Sequence, residues 1–579
     1  MNSLTPEERA LGKENFQAAI GSELTRREFL LGTVAAGVVS GAGLGAMYFK
    51  YTKVDKPLRI GFLGTGDEGG VLLGSLTPDY IEVAAIADIR PYNVHRAFHG
   101  DCSSPNAQKV RTGLISKYGW SSEDVAKQNV KVYGDYKDLI ADKDKLGIEA
   151  VIIALPLHLH APAAILAMNS GLHVLTEKLM GHSIANCKEM GRVSQQTNKI
   201  LATGHQRHYS ILYDNAVDTI RRGLIGEVHS IRAQWHRGNL PGHDSWQPPL
   251  PGDPHLASDL KDLQNQLKTG KSKDGTTLSG KDLEQLGKRL DQTAAQIADI
   301  SDAQALSHGY QAKTLPNGYN RSALEELIRW RLWERTGGGL MAELGSHQLD
   351  ASGIFISAMG PEGGKALPLT VQAVGGRSLF PMDRECEDHV YCMYEFPAPG
   401  YYQEGSKTEV KDPNRKIVVT YSSINGNGFG DYGEVVLGTK GTLILDREQE
   451  VMLYKNSDTK TSVGVVKAKD GAPALDTTAS GGAAAAVGKL ALGEGPPSRG
   501  YTEEIEHWAW CIRHPDPMNQ PKCGPKVALG DAAIALTTNV ALRSPAEKSR
   551  IEYQHEWFDL DRDETPDGSK IDMSQYSSA

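Results

Sequence analysis

The sequence predicts an α/β domain built on a doubly wound parallel sheet, followed by an α+β domain with a mostly antiparallel open sheet. Two observations carry this. Between residues 58 and 210, short apolar runs at 58–63, 82–87, 130–133, 150–154, 173–176 and 200–203 alternate with helix-length stretches. That is the pattern of strands buried on both faces, joined by crossover helices. After residue 225, apolar and polar residues instead alternate one by one, at 229–236, 369–374, 389–396, 416–422 and 434–445. Such alternation belongs to strands with one buried face. A chain of 579 residues exceeds what one core holds, so two domains with insertions are expected, at 58–210 and 211–560.

The chain begins with a polar stretch, 1–24, and then Thr25-Arg26-Arg27-Glu28-Phe29-Leu30 precedes an uncharged segment at 30–49. Paired arginines before a mildly apolar segment read as a twin-arginine export signal over 1–50. No convincing small-residue cleavage site follows, and some twenty uncharged residues suffice to span a bilayer, so 30–49 is a possible membrane tether. Residues 50–57 form a linker.

The first strand, 58–63, runs into a turn with glycines at 64, 66 and 69 and Asp67 between them. Gly64 allows the tight turn, Gly66 lets the backbone approach a pyrophosphate, and Gly69 lets the next helix pack close to the strand. That helix offers free N–H groups and its positive dipole end to phosphates. The second strand ends in Asp88, nineteen residues after Gly69, where an acid hydrogen-bonds the adenosine ribose. A Rossmann-type site for a tightly bound dinucleotide is therefore expected. Asp88 favours NAD over NADP, although Arg90, two residues on, is placed to pair with a 2′-phosphate. The later strands end at Leu155-Pro156, with His160 opening the next helix, at Glu177-Lys178, and at Gln206. Ligands of such sheets lie at the carboxyl ends of the strands, so these residues should converge on one crevice.

The second domain carries a charged stretch with helical leucine spacing at 258–300, read as a helical hairpin on the surface. Residues 467–499, rich in Gly, Ala and Pro, are read as a mobile loop. Helices near 501–513 and 525–542 are expected to pack back on the core. Net charge is −9 with no basic stripe, which argues against nucleic acid as partner. Six scattered cysteines read as free buried thiols, though Cys511 and Cys523 could pair across a loop. No ligand spacing suggests a metal.

Three features fall together: the glycine loop with Asp88, the pair Glu177-Lys178, and Gly337-Gly338-Gly339-Leu-Met-Ala-Glu343-Leu-Gly345-Ser-His347-Gln-Leu-Asp350. This combination resembles the Gfo/Idh/MocA family of oxidoreductases, in its exported, glucose–fructose oxidoreductase-like members. Leu179 replaces the proline of the family's Glu-Lys-Pro motif, and Glu343 stands where sugar-oxidising members carry Asp. His208 stands where many carry arginine. The resemblance implies Lys178 as the group that hydrogen-bonds the reacting hydroxyl, with Pro156 and His160 beside the cofactor. An imidazole suits removal of a hydroxyl proton, which nominates His347, with Glu343 four residues before it on one helical face. Trp235, Arg237, Trp330 and Arg331, with His236 and Trp333, are candidates for a sugar-binding wall, because aromatic faces and planar donors suit sugars. The function expected is hydride transfer between a carbohydrate or polyol hydroxyl and bound NAD(P), in an exported and homo-oligomeric protein. Rival readings are glycoside cleavage through transient C3 oxidation and elimination, and a non-catalytic cofactor-bearing protein.

Overall fold

A computed structural model describes residues 4–24, 41–360, 364–380, 382–478, 482–492 and 498–571. The first sheet has six parallel strands in the order β3-β2-β1-β4-β5-β6. These are β1 (Leu58–Leu63), β2 (Ile81–Ala87), β3 (Lys131–Tyr133), β4 (Ala150–Ile153), β5 (His173–Glu177) and β6 (Leu201–Gly204). The order reverses between β1 and β4, which opens a crevice at the carboxyl ends of those strands. Both faces of the sheet are covered, as their unbroken apolar runs require. The second domain supplies part of that cover. Ile505, Trp508 and Ala509 of the helix Tyr501–Arg513 pack on one face, and Ala528, Leu529 and Ala532 of the helix Pro525–Arg543 on the other. The chain thus returns to complete its first domain.

The second sheet has eight strands in the order β15-β14-β13-β7-β12-β11-β10-β18, antiparallel throughout except for the parallel pair β7/β12. Its members are β7 (Val228–His236), β10 (Thr370–Gly376), β11 (His389–Pro397), β12 (Lys416–Ile424), β13 (Tyr432–Gly438), β14 (Gly441–Asp446), β15 (Glu450–Lys455) and β18 (Arg550–Glu552). In β11, Val390, Cys392, Tyr394 and Phe396 are buried while Tyr391 and Met393 face out, as period-two alternation dictates. The stretch 434–445, read as one strand, is a hairpin that turns at Thr439 and Lys440, because β13 and β14 pair antiparallel. Two small ribbons, β8 (Lys313–Thr314) with β9 (Asn320–Arg321) and β16 (Gly464–Lys467) with β17 (Pro473–Asp476), lie outside the main sheets.

Three stretches depart from expectation. Residues 467–499 are not simply a loop. They contain β17 and the helix Gly482–Ala491, whose alanines form helix readily. That helix packs against another, Pro6–Leu24, within the stretch read as a polar leader. A Cβ on Gly21 would come 1.8 Å from the Ala484 carbonyl oxygen, so the contact needs glycine. Phe16, Ala19 and Ile20 enter the core of the second domain, Asn15 donates to the Leu453 carbonyl (3.1 Å), and Arg9 pairs with Asp446 and Glu450. The twin-arginine motif and most of the possible tether lie outside the described residues. Among the described residues no helix is long and apolar enough to cross a membrane.

The third departure is the inserted hairpin, formed by helices Pro254–Thr269 and Gly280–Ile297. Its second helix docks on the helix Pro91–His99 of the first domain rather than standing in solvent. Gln292, 5% exposed, accepts from the Cys102 backbone N–H (2.6 Å) and donates to Asp101 (3.1 Å). All six cysteines are free and buried.

Candidate active site

The carboxyl ends of β1, β2, β4 and β5 open into a cavity of about 820 Å³, closed on its far side by the second domain. At one end lies the glycine loop. Gly64 has φ +85°, and a Cβ there would meet the Ala154 carbonyl oxygen at 2.5 Å. At Gly66 a Cβ would meet only Asn93 Nδ2, at 3.7 Å, so the loop is open towards the cavity. The helix Asp67–Ser75 starts here with its N–H groups unclaimed by any side-chain cap. This backbone fits a pyrophosphate. Asp67 sits at that N-terminus. Desolvation opposes its ionisation, weakly because the side chain is 55% exposed, and the Arg96 and Arg111 guanidinium groups hold it below the carboxylate range, with Arg96 donating to it at 2.6 Å.

Asp88 is gripped by the Thr65 N–H (2.8 Å), the Arg90 N–H (2.9 Å) and Asn93 Nδ2 (3.1 Å) while still lining the cavity. The Thr65 hydroxyl donates as well (3.2 Å), and these four donors fix the direction of the carboxylate. Arg90 is already committed: its guanidinium pairs with Asp299 at 2.8 Å, and that carboxylate is fully buried. Residues from the insert and the chain that follows it, including Gln296, Ser307, His308 and Tyr310, line the same end. None of them carried a sequence signal, because the insert's charged surface pattern hides its docked face.

At the other end the two domains meet. Leu155 and Pro156 line the wall after β4. His160 opens the helix His160–Asn169 and bridges two loops, its ring nitrogens each 2.8 Å from the Leu155 and Leu179 carbonyls. A neutral imidazole carries one N–H, and burial lowers this pKa, so one carbonyl at a time is served. Glu177 is buried, and burial with the nearby Glu68 charge pushes its pKa up to about 8. Lys178 Nζ reaches across the domain boundary to donate to the Glu343 carbonyl (2.8 Å).

Gly337, Gly338 and Gly339 lead into a π-helical turn, Met341–Gly345, and then the helix Ser346–Ser357. The π turn swings Glu343 into the cavity beside His347, and such turns occur often at functional sites. Burial opposes ionisation of Glu343, but Lys178 and Arg331 outweigh it and hold the carboxyl below its usual range, with Arg331 Nε 2.9 Å away. Burial, followed by the Lys178 and Arg207 charges, holds His347 well below ordinary histidine values. Among the described residues neither His347 ring nitrogen has a partner, and the ring leans on Trp235 with centroids 5.5 Å apart. Trp235, Arg237, Trp330 and Arg331 all line this end, joined by Trp246, Arg499 and Tyr501, which the sequence reading did not single out. Arg499 and Tyr501 were missed because they sit in the stretch read as a mobile loop and at the start of the helix after it.

Several expected residues are elsewhere. Gln206 is 1% exposed and lies outside the cavity, because Gly500 packs its backbone on the Gln206 carbonyl and covers that strand end. His208 pairs with Asp350 (2.9 Å), His236 with Ser422 (2.9 Å), and Trp333 is core, its N–H donating to the Glu325 carbonyl.

Residues 59–205 match the model of an oxidoreductase family with an NAD-binding Rossmann fold, GFO_IDH_MocA. Over 218 residues, 36% of this chain and 42% of the relative, the chain is 29% identical to a glycosyl hydrolase family 109 protein of Stenotrophomonas maltophilia. Over 185 residues, 31% of this chain and 47% of the relative, it is 29% identical to an inositol 2-dehydrogenase of Salmonella typhimurium. The chain spans about a quarter to a half of the length of the curated relatives it matches. Among solved structures, 86% of the chain superposes on all of the aldose-aldose oxidoreductase of Caulobacter crescentus complexed with glycerol, at TM-score 0.45 and 15% identity. Scyllo-inositol dehydrogenase of Lactobacillus casei with NAD(H) and scyllo-inositol gives TM-score 0.44, 15% identity and coverage of 86% and 99%.

Proposed function

We propose that this chain is a nicotinamide-dependent oxidoreductase acting on a hydroxyl-bearing carbon of a sugar or polyol, with a tightly held NAD. The observation that carries this is the meeting of Lys178, Glu343 and His347 in one cavity with the glycine loop and Asp88. The loop backbone would hold the pyrophosphate and Asp88 the ribose. A bound nicotinamide supplies the hydride acceptor. His347, kept neutral by its surroundings, takes the hydroxyl proton on a ring nitrogen. Lys178 spends one of three N–H donors on the Glu343 carbonyl and keeps two for the developing alkoxide. Glu343, held ionised by Lys178 and Arg331, balances that positive charge.

The match to proteins named as glycosyl hydrolase family 109 favours one second reading: oxidation at C3, elimination of the aglycone, addition of water to the resulting enone, and return of the hydride to C3. Incubation with nitrophenyl glycosides and with free sugars, following aglycone release and sugar oxidation separately, tests both. Net oxidation of free sugars without aglycone release supports the first reading, and aglycone release without net oxidation the second. Neither event, in a protein that retains its dinucleotide, overturns both.

Export by the twin-arginine machinery to the periplasm is supported by Arg26 and Arg27 and by the route's ability to carry a cofactor-loaded protein; 30–49 is not free to act whole as a tether, because the helix Gly41–Phe49 buries Phe49 in the core of the first domain. Replacing both arginines by lysine should leave the protein in the cytoplasm. A homo-oligomer is supported by Val374, Tyr391 and Met393, which expose an apolar patch on β10 and β11. Sedimentation tests it.

A further inference from the structure

The substrate end of the cavity carries more positive charge than its carboxylates answer. Arg331 is matched by Glu343 (2.9 Å) and Arg499 by Glu448 (2.9 Å). Lys178 donates to a carbonyl. Arg237 has no oxygen partner for its guanidinium among the described residues. It sits just past β7, its backbone N–H tied to the Ile424 carbonyl (2.8 Å), and its guanidinium lies 5.8 Å from the Trp235 ring centroid and 5.4 Å from that of Trp246. The two carboxylates whose charge reaches Arg237 are both engaged elsewhere: Glu343 holds Arg331 (2.9 Å), and Asp244 accepts from Arg384 (2.8 Å) and from the Trp246 N–H (2.9 Å). Burial and the neighbouring Arg331 charge both disfavour the charged form of Arg237. A guanidinium held between two indoles, facing a cavity without a counter-ion, is a fork awaiting a planar anion.

We infer that the substrate is a sugar acid whose carboxylate is bound by Arg237, which makes Arg237 the residue that selects acids over neutral sugars. The inference rests on the oxidoreductase reading for where the sugar lies. One unmatched guanidinium answers one charge, which favours a carboxylate over a doubly charged phosphate ester. The carboxylate would leave Lys178 and His347 free to act on a ring hydroxyl.

The experiment compares glucuronate, galacturonate, glucose, galactose and glucose 6-phosphate as reductants of the bound nicotinamide, in the cofactor-loaded wild-type protein and in Arg237→Gln and Arg237→Lys. A uronate should have a KM lower than its neutral sugar by roughly 10–100-fold, the range for hydrogen bonds to a charged group. Arg237→Gln should collapse that ratio mainly through the acid's KM, and Arg237→Lys should recover part of it. A wild-type ratio near one, a preference for the phosphate ester, or an equal loss for acid and neutral sugar in Arg237→Gln would overturn the inference. If no sugar of any kind reduces the nicotinamide, the oxidoreductase reading fails, and tryptophan fluorescence still decides on Arg237. Saturable quenching by a uronate that Arg237→Gln abolishes upholds the carboxylate site, and its absence for both uronates overturns it.

Discussion

At the scale of single residues the chemistry rests on Lys178 and His347, whose side-chain contacts among the described residues are with Glu343 and Trp235 rather than hydrogen bonds to the glycine loop. Lys178→Met and His347→Ala should each retain dinucleotide on purification yet slow single-turnover reduction of the nicotinamide by about 10²–10⁴-fold. Both act at one hydroxyl, His347 on its proton and Lys178 on its oxygen, so the double variant should lose far less than the product of the two single losses. Rapid-mixing absorbance checks this, and normal reduction in His347→Ala would remove histidine as the base. Glu177 makes a separate, pH-dependent prediction. Its carboxyl is pushed to about 8 in the fold from an ordinary 4.5. Between these values the folded state holds a proton that the unfolded state has released, so folding is favoured at low pH and loses stability as pH rises towards 8. Glu177→Gln should flatten that slope, by up to about 1.4 kcal/mol per pH unit, in denaturant titrations of cofactor-free protein from pH 5 to 9. An unchanged slope would show that Glu177 does not carry it.

At the scale of elements, the inserted hairpin takes a role that its composition did not announce. Its charged face reads as solvated surface, and leucine spacing fixes only that it is helical. The docking is made by two polar side chains, Gln292 and Asp299, whose partners lie 190 or more residues away in sequence. No local pattern can show that. The consequence concerns cofactor choice. Arg90, the residue that weakened the expectation of NAD, is held by Asp299, so among the described residues Asp88 has no uncommitted arginine two residues on. Asp299→Asn should free Arg90 and tighten NADP binding by about tenfold or more, while Asp88→Ser alone should relax selectivity less. Calorimetric titration of stripped protein with both dinucleotides measures this. NADP affinity unmoved by Asp299→Asn would leave Arg90 without a part in the choice. Replacing residues 270–279, the hairpin's tip, should be harmless. Replacement through Asp299 should strip both anchors from the first domain and weaken cofactor retention.

At the scale of the molecule, the first domain was legible almost strand by strand, because buried parallel strands write continuous apolar runs. Gly64, Gly66, Gly69, Asp88, Lys178 and His347 were legible as a motif set, and the fold brings five of them to one cavity; Gly69 lies behind the loop, where a Cβ would come 2.3 Å from the Gly64 carbonyl oxygen. The helices expected near 501–513 and 525–542 are present, but what the sequence hid is long-range: that they cover the first sheet, that the leader helix docks at Phe16, and that Gln206 is buried under Gly500. One buried network ties these parts together. Lys365 pairs with Asp350 (3.0 Å) and with Asp531, joining the helix that carries His347 to the helix Pro525–Arg543. Lys365→Met should leave Asp531 without a cation while His208 still faces Asp350, and breaking this buried pair should cost about 3–5 kcal/mol, seen as a lower unfolding midpoint that recovers towards acid pH. A midpoint within experimental error of wild type would show that the network is not a structural tie.

The central claim is that one cavity binds a dinucleotide and passes hydride to it from a sugar hydroxyl carbon. It is tested most directly by mixing the purified, dinucleotide-loaded protein with the sugar and sugar-acid panel and recording absorbance of the reduced nicotinamide in a single turnover. The account predicts reduction by at least one member of the panel, slowed when the reacting carbon carries deuterium and lost in Lys178→Met. Retained, oxidised dinucleotide that no member of the panel reduces would contradict it.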